Sequence, residues 1–247
     1  MLFDVRGISI EYGDFGSKSE NSIVENTFNL ALKEPSILDF IDDMPSGSVF
    51  YDLGACIGSF SLYASKLGHE VYAFEPDPTN YNRFKSALAA SDCDVHLYNV
   101  AVSDGVSGSE VLLVESGINH GHHRILKTDK FAGAPYLEDK VKLSKNTNEV
   151  TVDATSIDAF VSKNDVTFPT HMKVDIDGSE VLFVNGAKNT LFDNRLKCVI
   201  FELDKDSDKY DFIIGEMNNA GLYQYNESFI AHGGKSLFNI LFKRSEP

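Results

Sequence analysis

Cysteine is scarce in this chain, basic residues are outnumbered, and long apolar runs are missing. The three cysteines, Cys56, Cys93 and Cys198, are scattered and form no CxxC pair. Neither a disulfide framework nor a thiolate zinc site is therefore expected, and each should pack as a small buried side chain. The 22 lysines and arginines stand against 37 acidic residues, a net charge of −15 at pH 7. Such a field repels nucleic acid and anionic membrane surfaces. No apolar run approaches the roughly 20 residues of a membrane span, and Met1-Leu-Phe-Asp-Val-Arg lacks the basic start and apolar core of a signal peptide. A cytoplasmic protein is expected. What the chain does have is 43% hydrophobic residues over a length of 247, ample for the core of one large α/β domain.

The most informative stretch runs from Val49 to Asp77, VFYDLGACIGSFSLYASKLGHEVYAFEPD. An apolar run, Val49 to Leu53, meets a glycine turn. An amphipathic segment follows with Phe60, Tyr63, Ala64 and Leu67 on one face, and a second apolar run, Val71 to Phe74, ends on Glu75. The pattern predicts a strand, turn, helix and strand, a parallel βαβ unit. The loop leaving the first strand enters a helix N-terminus, where backbone N–H groups favour a polar ligand. Gly54 and Gly58 are expected to let the backbone approach that ligand. Glu75 lies 75 − 54 = 21 residues beyond the first glycine, near the roughly 20 at which a second-strand carboxylate takes ribose hydroxyls. An adenosine-containing cofactor follows.

The turn narrows the choice. A nicotinamide fingerprint is Gly-x-Gly-x-x-Gly, whereas here Asp52 precedes Gly54, Ala55 stands near the place of the middle glycine, and only Gly58 remains. A carboxylate at Asp52 repels a pyrophosphate and suits an amino group. S-adenosylmethionine carries an ammonium, a carboxylate and a ribose, and Asp-x-Gly-Ala-x-x-Gly followed by Glu75 resembles the donor site of class I methyltransferases. The alternative is an ordinary βα turn with a strand-end glutamate.

Elsewhere the sequence yields elements in order. Residues 3–12 suggest a short strand or hairpin. Ser22 and Glu25 form a capping box that opens a helix ended by Pro35, and a further turn or two of helix runs from Ser36 to Ile41. Asp77-Pro78 reads as a helix start, with Asp77 as N-cap. Asp94 to Val102 reads as a third strand, bringing Asn99 and Ala101 to the adenine side of the crevice. Glu110 to Val114 is another strand. The long polar stretch 117–148 carries His120, His122 and His123, a solvated loop by default and a substrate-side lid second. The histidine spacing fits no zinc pattern.

Farther on, His171-Met-Lys-Val-Asp175-Ile-Asp177-Gly-Ser-Glu180 is a strand that ends in carboxylates and turns into a helix. Alternation along the strand is expected to point Asp175 and Asp177 the same way. Cys198 to Glu202 is a fifth strand, with Glu202 a lesser candidate for the substrate side. Ser207 to Asn219 is a helix, and Leu222 to Tyr225 and Leu237 to Phe242 are a terminal strand pair joined through Gly233-Gly234.

Taken together, Asp52-Leu-Gly-Ala-Cys-Ile-Gly58, Phe74-Glu-Pro-Asp-Pro78, Asn99-Val-Ala-Val-Ser-Asp-Gly105, Thr151 to Val161, and Lys173-Val-Asp-Ile-Asp-Gly-Ser-Glu180 followed by Asn185-Gly-Ala resemble the ordered motifs of FkbM-type S-adenosylmethionine-dependent methyltransferases. The resemblance covers about residues 49–243. It implies an α/β fold, the class I methyltransferase (Rossmann-like) doubly wound and mostly parallel seven-stranded sheet with a terminal antiparallel hairpin. It also implies methyl transfer, typically onto a hydroxyl of a sugar or natural product. Asp175, Asp177 and Glu180 fall on the family's acids, although Asp177 stands where glutamate is commoner and is shorter.

The chain is expected to divide into an N-terminal strand and helix cap, 1–48, and a methyltransferase domain, 49–247, within one compact unit. Donor binding is assigned to Asp52, Gly54, Ala55, Gly58, Glu75, Asn99, Ala101 and Asp175. The catalytic candidates are Asp177 and Glu180, with His122 or His123 reaching in from the loop. No metal site is assigned, a divalent cation among Asp175, Asp177 and the histidines being the less favoured variant. The acceptor is a small molecule, such as a sugar or polyol. The rivals are a nicotinamide-dependent oxidoreductase and a non-catalytic donor-binding or interaction protein.

Overall fold

The computed structural model describes residues 1–105, 109–115, 123–126, 149–231 and 236–245. His120, His122 and the Gly233-Gly234 link lie outside these residues, as does all of 127–148. His123 is described in its backbone only.

The chain opens with a hairpin, β1 (Leu2–Val5) and β2 (Ile8–Glu11), followed by α1 (Lys18–Ala31) and α2 (Pro35–Asp42). The capping box expected at Ser22 does not start α1. Ser17 is the N-cap and accepts from the Glu20 amide at 3.2 Å, so Ser22 and Glu25 lie exposed within the helix. Pro35 does not end α1 but opens α2, where the lack of an N–H costs nothing.

The βαβ unit follows as expected: β3 (Val49–Leu53), α3 (Ser59–Lys66) and β4 (Glu70–Phe74), then α4 (Pro78–Ala90). Asp77 caps α4 by accepting from the Asn80 amide at 2.7 Å. The strand predicted over Asp94 to Val102 is two strands. β5 (Val95–Tyr98) joins β4, whereas β6 (Ala101–Val102) leaves to pair with another sheet. That sheet contains β7 (Ser109–Glu115), β8 (His123–Leu126) and β9 (Glu149–Thr155), in the order β6-β9-β7-β8.

Next come α5 (Ile157–Lys163), β10 (His171–Val174), α6 (Glu180–Gly186), α7 (Lys188–Phe192), β11 (Cys198–Asp204), α8 (Tyr210–Asn219), β12 (Leu222–Phe229) and β13 (Leu237–Arg244). The main sheet has seven strands in the order β12-β13-β11-β10-β3-β4-β5. All neighbouring pairs are parallel except those made by β13, which runs antiparallel to both β11 and β12. This is the doubly wound sheet of a class I methyltransferase with its terminal antiparallel pair.

Period-two alternation gives the sheet two apolar faces. Val49, Tyr51 and Leu53 of β3 join Met172, Val174 and Phe201 under α5, α6 and α8. Phe50 joins Val71 and Ala73 under α1 to α4 and the N-terminal hairpin. Strand order reverses between β3 and β10, and the helices that follow them, α3 and α6, pack on opposite faces of the sheet, the arrangement beside which ligands of open α/β sheets bind. Among the described residues no helix is long and apolar enough to cross a membrane.

Candidate active site

The glycine turn is locked from inside. The Gly54 and Ala55 amides both donate to the Phe74 carbonyl at 3.0 Å, and the Gly58 amide donates to the Ala55 carbonyl at 2.8 Å. Gly54 and Gly58 were expected to clear space for a ligand, yet the space is filled by protein. Gly54 has φ +79°, and a Cβ there would lie 1.8 Å from the Asp175 carbonyl oxygen; at Gly58, φ +86°, it would lie 2.2 Å from the Phe84 ring. The glycines are thus needed to bring β3 against the end of β10 and the start of α3 against α4. Cys56 takes a left-handed φ of 51° and presents its amide to Glu75 Oε2 at 2.7 Å. Burial raises its thiol pKa, so it is no nucleophile.

Glu75 directly follows β4 and is 4% exposed. Its second oxygen accepts from the Asp77 amide at 2.8 Å. Burial pushes its pKa up to about 8, against the lowering effect of the two amides. Asn99 is exposed and donates to the Glu75 and Pro76 carbonyls at 2.8 and 3.0 Å, so its amide brackets the loop that carries Glu75. Ala101 is buried in β6, beside Ala154.

Asp52 was expected to face the amino group of the donor; the amino group beside it in the structure is that of Lys173. The two residues are register partners on β3 and β10. Lys173 Nζ lies 3.3 Å from Asp52 Oδ1 and 3.1 Å from Asp175 Oδ2, while Ser61 donates to Asp52 Oδ2 at 2.6 Å. Lys173 was not singled out from the sequence. The sequence shows only a lone cation in an apolar strand two residues before an acid; that it stands opposite Asp52 follows from the register of β3 against β10.

Beyond Val174 the strand stops, so alternation does not orient Asp177. It adopts a left-handed φ of 49°, a conformation that non-glycine residues rarely hold. The turn brings Asp175, Asp177 and Glu202 together, each offering a carboxylate oxygen within 4.8 Å of the others. Burial, then the neighbouring negative charges, raises the pKa of Glu202 far above the usual range, and burial raises that of Asp175 despite Lys173. Glu180 is turned inward. It accepts from the Gly178 amide at 2.8 Å, closing its own turn, and burial pushes it up to about 7. Lys209 donates to the Gly178 carbonyl at 3.1 Å.

Opposite these acids the chain start reaches the site. The Tyr12 hydroxyl donates to the Ile57 carbonyl of the glycine turn at 3.0 Å, and Asn239 of β13 donates to Glu34 Oε2 at 3.0 Å and to Ser36 at 3.2 Å.

Comparisons with known proteins bear on the family and the fold. The sequence matches the methyltransferase FkbM domain over residues 52–225. None of the curated proteins matches it. Among solved structures, magnesium protoporphyrin IX methyltransferase (ChlM) from Synechocystis PCC 6803, with bound SAM, superimposes with a TM-score of 0.50 at 8% identity, covering 94% of this chain and 87% of that one. Methyltransferase FkbM from Methylobacillus flagellatus KT gives 0.49 at 15% identity, covering 81% of this chain; the chain spans 44% of that protein's length. The M. capricolum TrmK complex with S-adenosylhomocysteine gives 0.48 at 9% identity, covering 85% and 68%. At 8% identity the ChlM superposition speaks to the fold alone, and it is the domain match, spanning more than half of the sequence, that identifies the chain as a member of the FkbM family of S-adenosylmethionine-dependent methyltransferases.

Proposed function

We propose that this protein is an O-methyltransferase that uses S-adenosylmethionine to methylate a hydroxyl of a small molecule, such as a sugar or polyol. The observation that carries the reading is the convergence of Asp175, Asp177 and Glu202 at the carboxyl ends of β10 and β11, across the switch point from Glu75. Several acids beside the crevice suit an acceptor rich in hydroxyl donors. The donor fits the residues present. Glu75 would accept from its ribose hydroxyls, Asp175 would face its ammonium, and the turn Asp52-Gly54-Ala55-Gly58 would border its amino-acid end. Asn99 and Ala101 would act on the adenine side, Asn99 by fixing the Glu75 loop.

When bound, the donor supplies a sulfonium methyl group. The protein's contribution is to hold the acceptor oxygen in line and dry, which lowers the barrier by positioning. A hydroxyl acceptor must also lose its proton, and Asp177 is the proposed base. Glu180 is the weaker candidate, because its carboxylate already accepts from the Gly178 amide. Glu202, protonated in this setting, would donate rather than accept. His122 or His123 would reach in from the substrate side. No metal is assigned, since displacement at a sulfonium needs none. A cytoplasmic location and a cap formed by residues 1–48 over domain 49–247 belong to the same reading.

The test is a methylation assay over a panel of sugar and polyol acceptors, with and without EDTA. Asp177→Asn should lower kcat by roughly 100-fold or more, the scale of general-base loss, while S-adenosylhomocysteine affinity stays within about twofold. Wild-type turnover by that variant removes Asp177 from the mechanism, and loss of the rate in EDTA restores the metal variant. Donor binding without turnover on any acceptor would favour the non-catalytic reading.

A further inference from the structure

Lys173 has 3% of its side chain exposed and touches four groups that define the crevice floor. Besides Asp52 and Asp175, its ammonium lies 3.4 Å from the Gly54 carbonyl oxygen and 5.6 Å from the centroid of the Phe60 ring at the start of α3. One cation therefore ties together the end of β3, the glycine turn, the first turn of α3 and the end of β10. Two carboxylates share this single positive charge, leaving one negative charge over. Exposure decides where the surplus resides. The Asp52 side chain is 1% exposed and is also held by Ser61, whereas that of Asp175 is 31% exposed at the crevice.

We propose that Lys173 is a positioning residue for the methyl donor: by neutralising Asp52 and anchoring one oxygen of Asp175, it makes Asp175 the receptor of the donor's ammonium group. The inference rests on the donor reading given above and changes it in one respect, since Asp52 then acts through Lys173 and not on the ligand. The physical reason is competition for a buried anion. A carboxylate already paired at 3.3 Å with an internal ammonium and bonded to a hydroxyl offers a second ammonium little, whereas Asp175 keeps an oxygen toward solvent. Asp177 and Glu34 also face Asp175 and add negative potential around it. Without Lys173, Asp52 and Asp175 would share a buried site as unpaired carboxylates, and protonation would remove the charge that the donor's ammonium needs.

The test compares two ligands by calorimetry. S-adenosylhomocysteine carries the amino-acid end; 5′-methylthioadenosine has the same adenosine without it. Wild-type protein should bind the former more tightly. Lys173→Met should weaken S-adenosylhomocysteine by about 10- to 100-fold, the scale of a lost charge-assisted hydrogen bond, and change methylthioadenosine by less than about twofold. The double variant Asp52→Asn/Lys173→Met removes both buried charges, so it keeps the test if the single variant does not fold, and the same selective loss is expected. Lys173→Arg should recover part of it. Equal weakening of both ligands would mean that Lys173 only supports the fold, and unchanged S-adenosylhomocysteine binding would mean that it does not act on the donor; either overturns the inference. Wild-type protein binding both ligands equally would overturn the inference and spare the donor reading, whereas binding neither would overturn both.

Discussion

At the scale of single residues, the ribose role proposed for Glu75 makes donor binding depend on pH. Ribose hydroxyls donate to a carboxylate, so the bound form needs Glu75 ionised, yet burial holds its pKa up at about 8 in the free protein. Below that value, binding must therefore expel a proton, and affinity should rise from pH 6 to pH 9. Titrating S-adenosylhomocysteine in buffers of different ionisation enthalpy measures the proton directly. Release of about one proton at pH 7 is expected, and Glu75→Gln should abolish it while weakening binding. A pH-independent affinity would take Glu75 off the ribose. The position of Glu75 just after β4 was legible in the sequence because it ends an apolar run at a fixed distance from a glycine. Lys173 was not, because within an apolar strand a lysine declares no partner until the register of β3 against β10 is known. The same limit applied to Glu180, whose carboxylate bonds an amide two residues before it rather than facing the crevice.

At the scale of elements, the meeting of β3 with β10 depends on a missing methyl group. In Gly54→Ala the new Cβ would sit 1.8 Å from a backbone oxygen, which cannot rotate away as a side chain would, and the residue would also hold a left-handed φ. The expected cost is at least about 2–3 kcal/mol, or a fall in Tm of roughly 5–10 °C for a chain of this size, and thermal denaturation measures it. Since Asp175 must move to make room, S-adenosylhomocysteine binding should weaken as well. A stable variant with native affinity would show that β3 and β10 can part without consequence. Such close packing was invisible in the sequence, where a glycine near a ligand and a glycine near a strand look alike. The main strands and the Asp77 cap were legible from apolar runs and a local turn signal. The break between β5 and β6 was not, because Asn99 and Val100 interrupt a pattern of polar and apolar residues that reads on through them. The start of α1 was misplaced for a related reason: Ser17 and Ser22 both precede a glutamate by three residues, and what sets the earlier turn apart, the pairing of Glu20 with Arg83 of α4 at 2.7 Å, is a tertiary contact.

At the scale of the whole molecule, the buried acids and the buried histidines, His69 and His171, pull stability in opposite directions with pH. Glu75, pushed up to about 8, Glu180, pushed up to about 7, and Glu202 all have raised values in the folded state. Their contribution is complete below the unfolded pKa near 4.5 and is lost as pH rises through the folded values. His171 is pushed down to about 4 by burial, so its contribution is present above the unfolded value of 6.5 and is lost as pH falls toward 4. Above pH 6.5 the acids alone act among these groups, each by up to about 1.4 kcal/mol per pH unit. The Tm should therefore fall between pH 6.5 and pH 8.5, and Glu202→Gln should flatten the decline. A Tm constant over that range would contradict the assignment of buried, protonated acids. The contact between Gly54 and Asp175 also spans 175 − 54 = 121 positions of sequence. Translation adds about 5–20 residues per second. On the ribosome, the glycine turn thus waits roughly 6–24 s for the strand against which it closes. Until then the turn lacks the strand end that carries Asp175, the residue proposed above to receive the donor's ammonium.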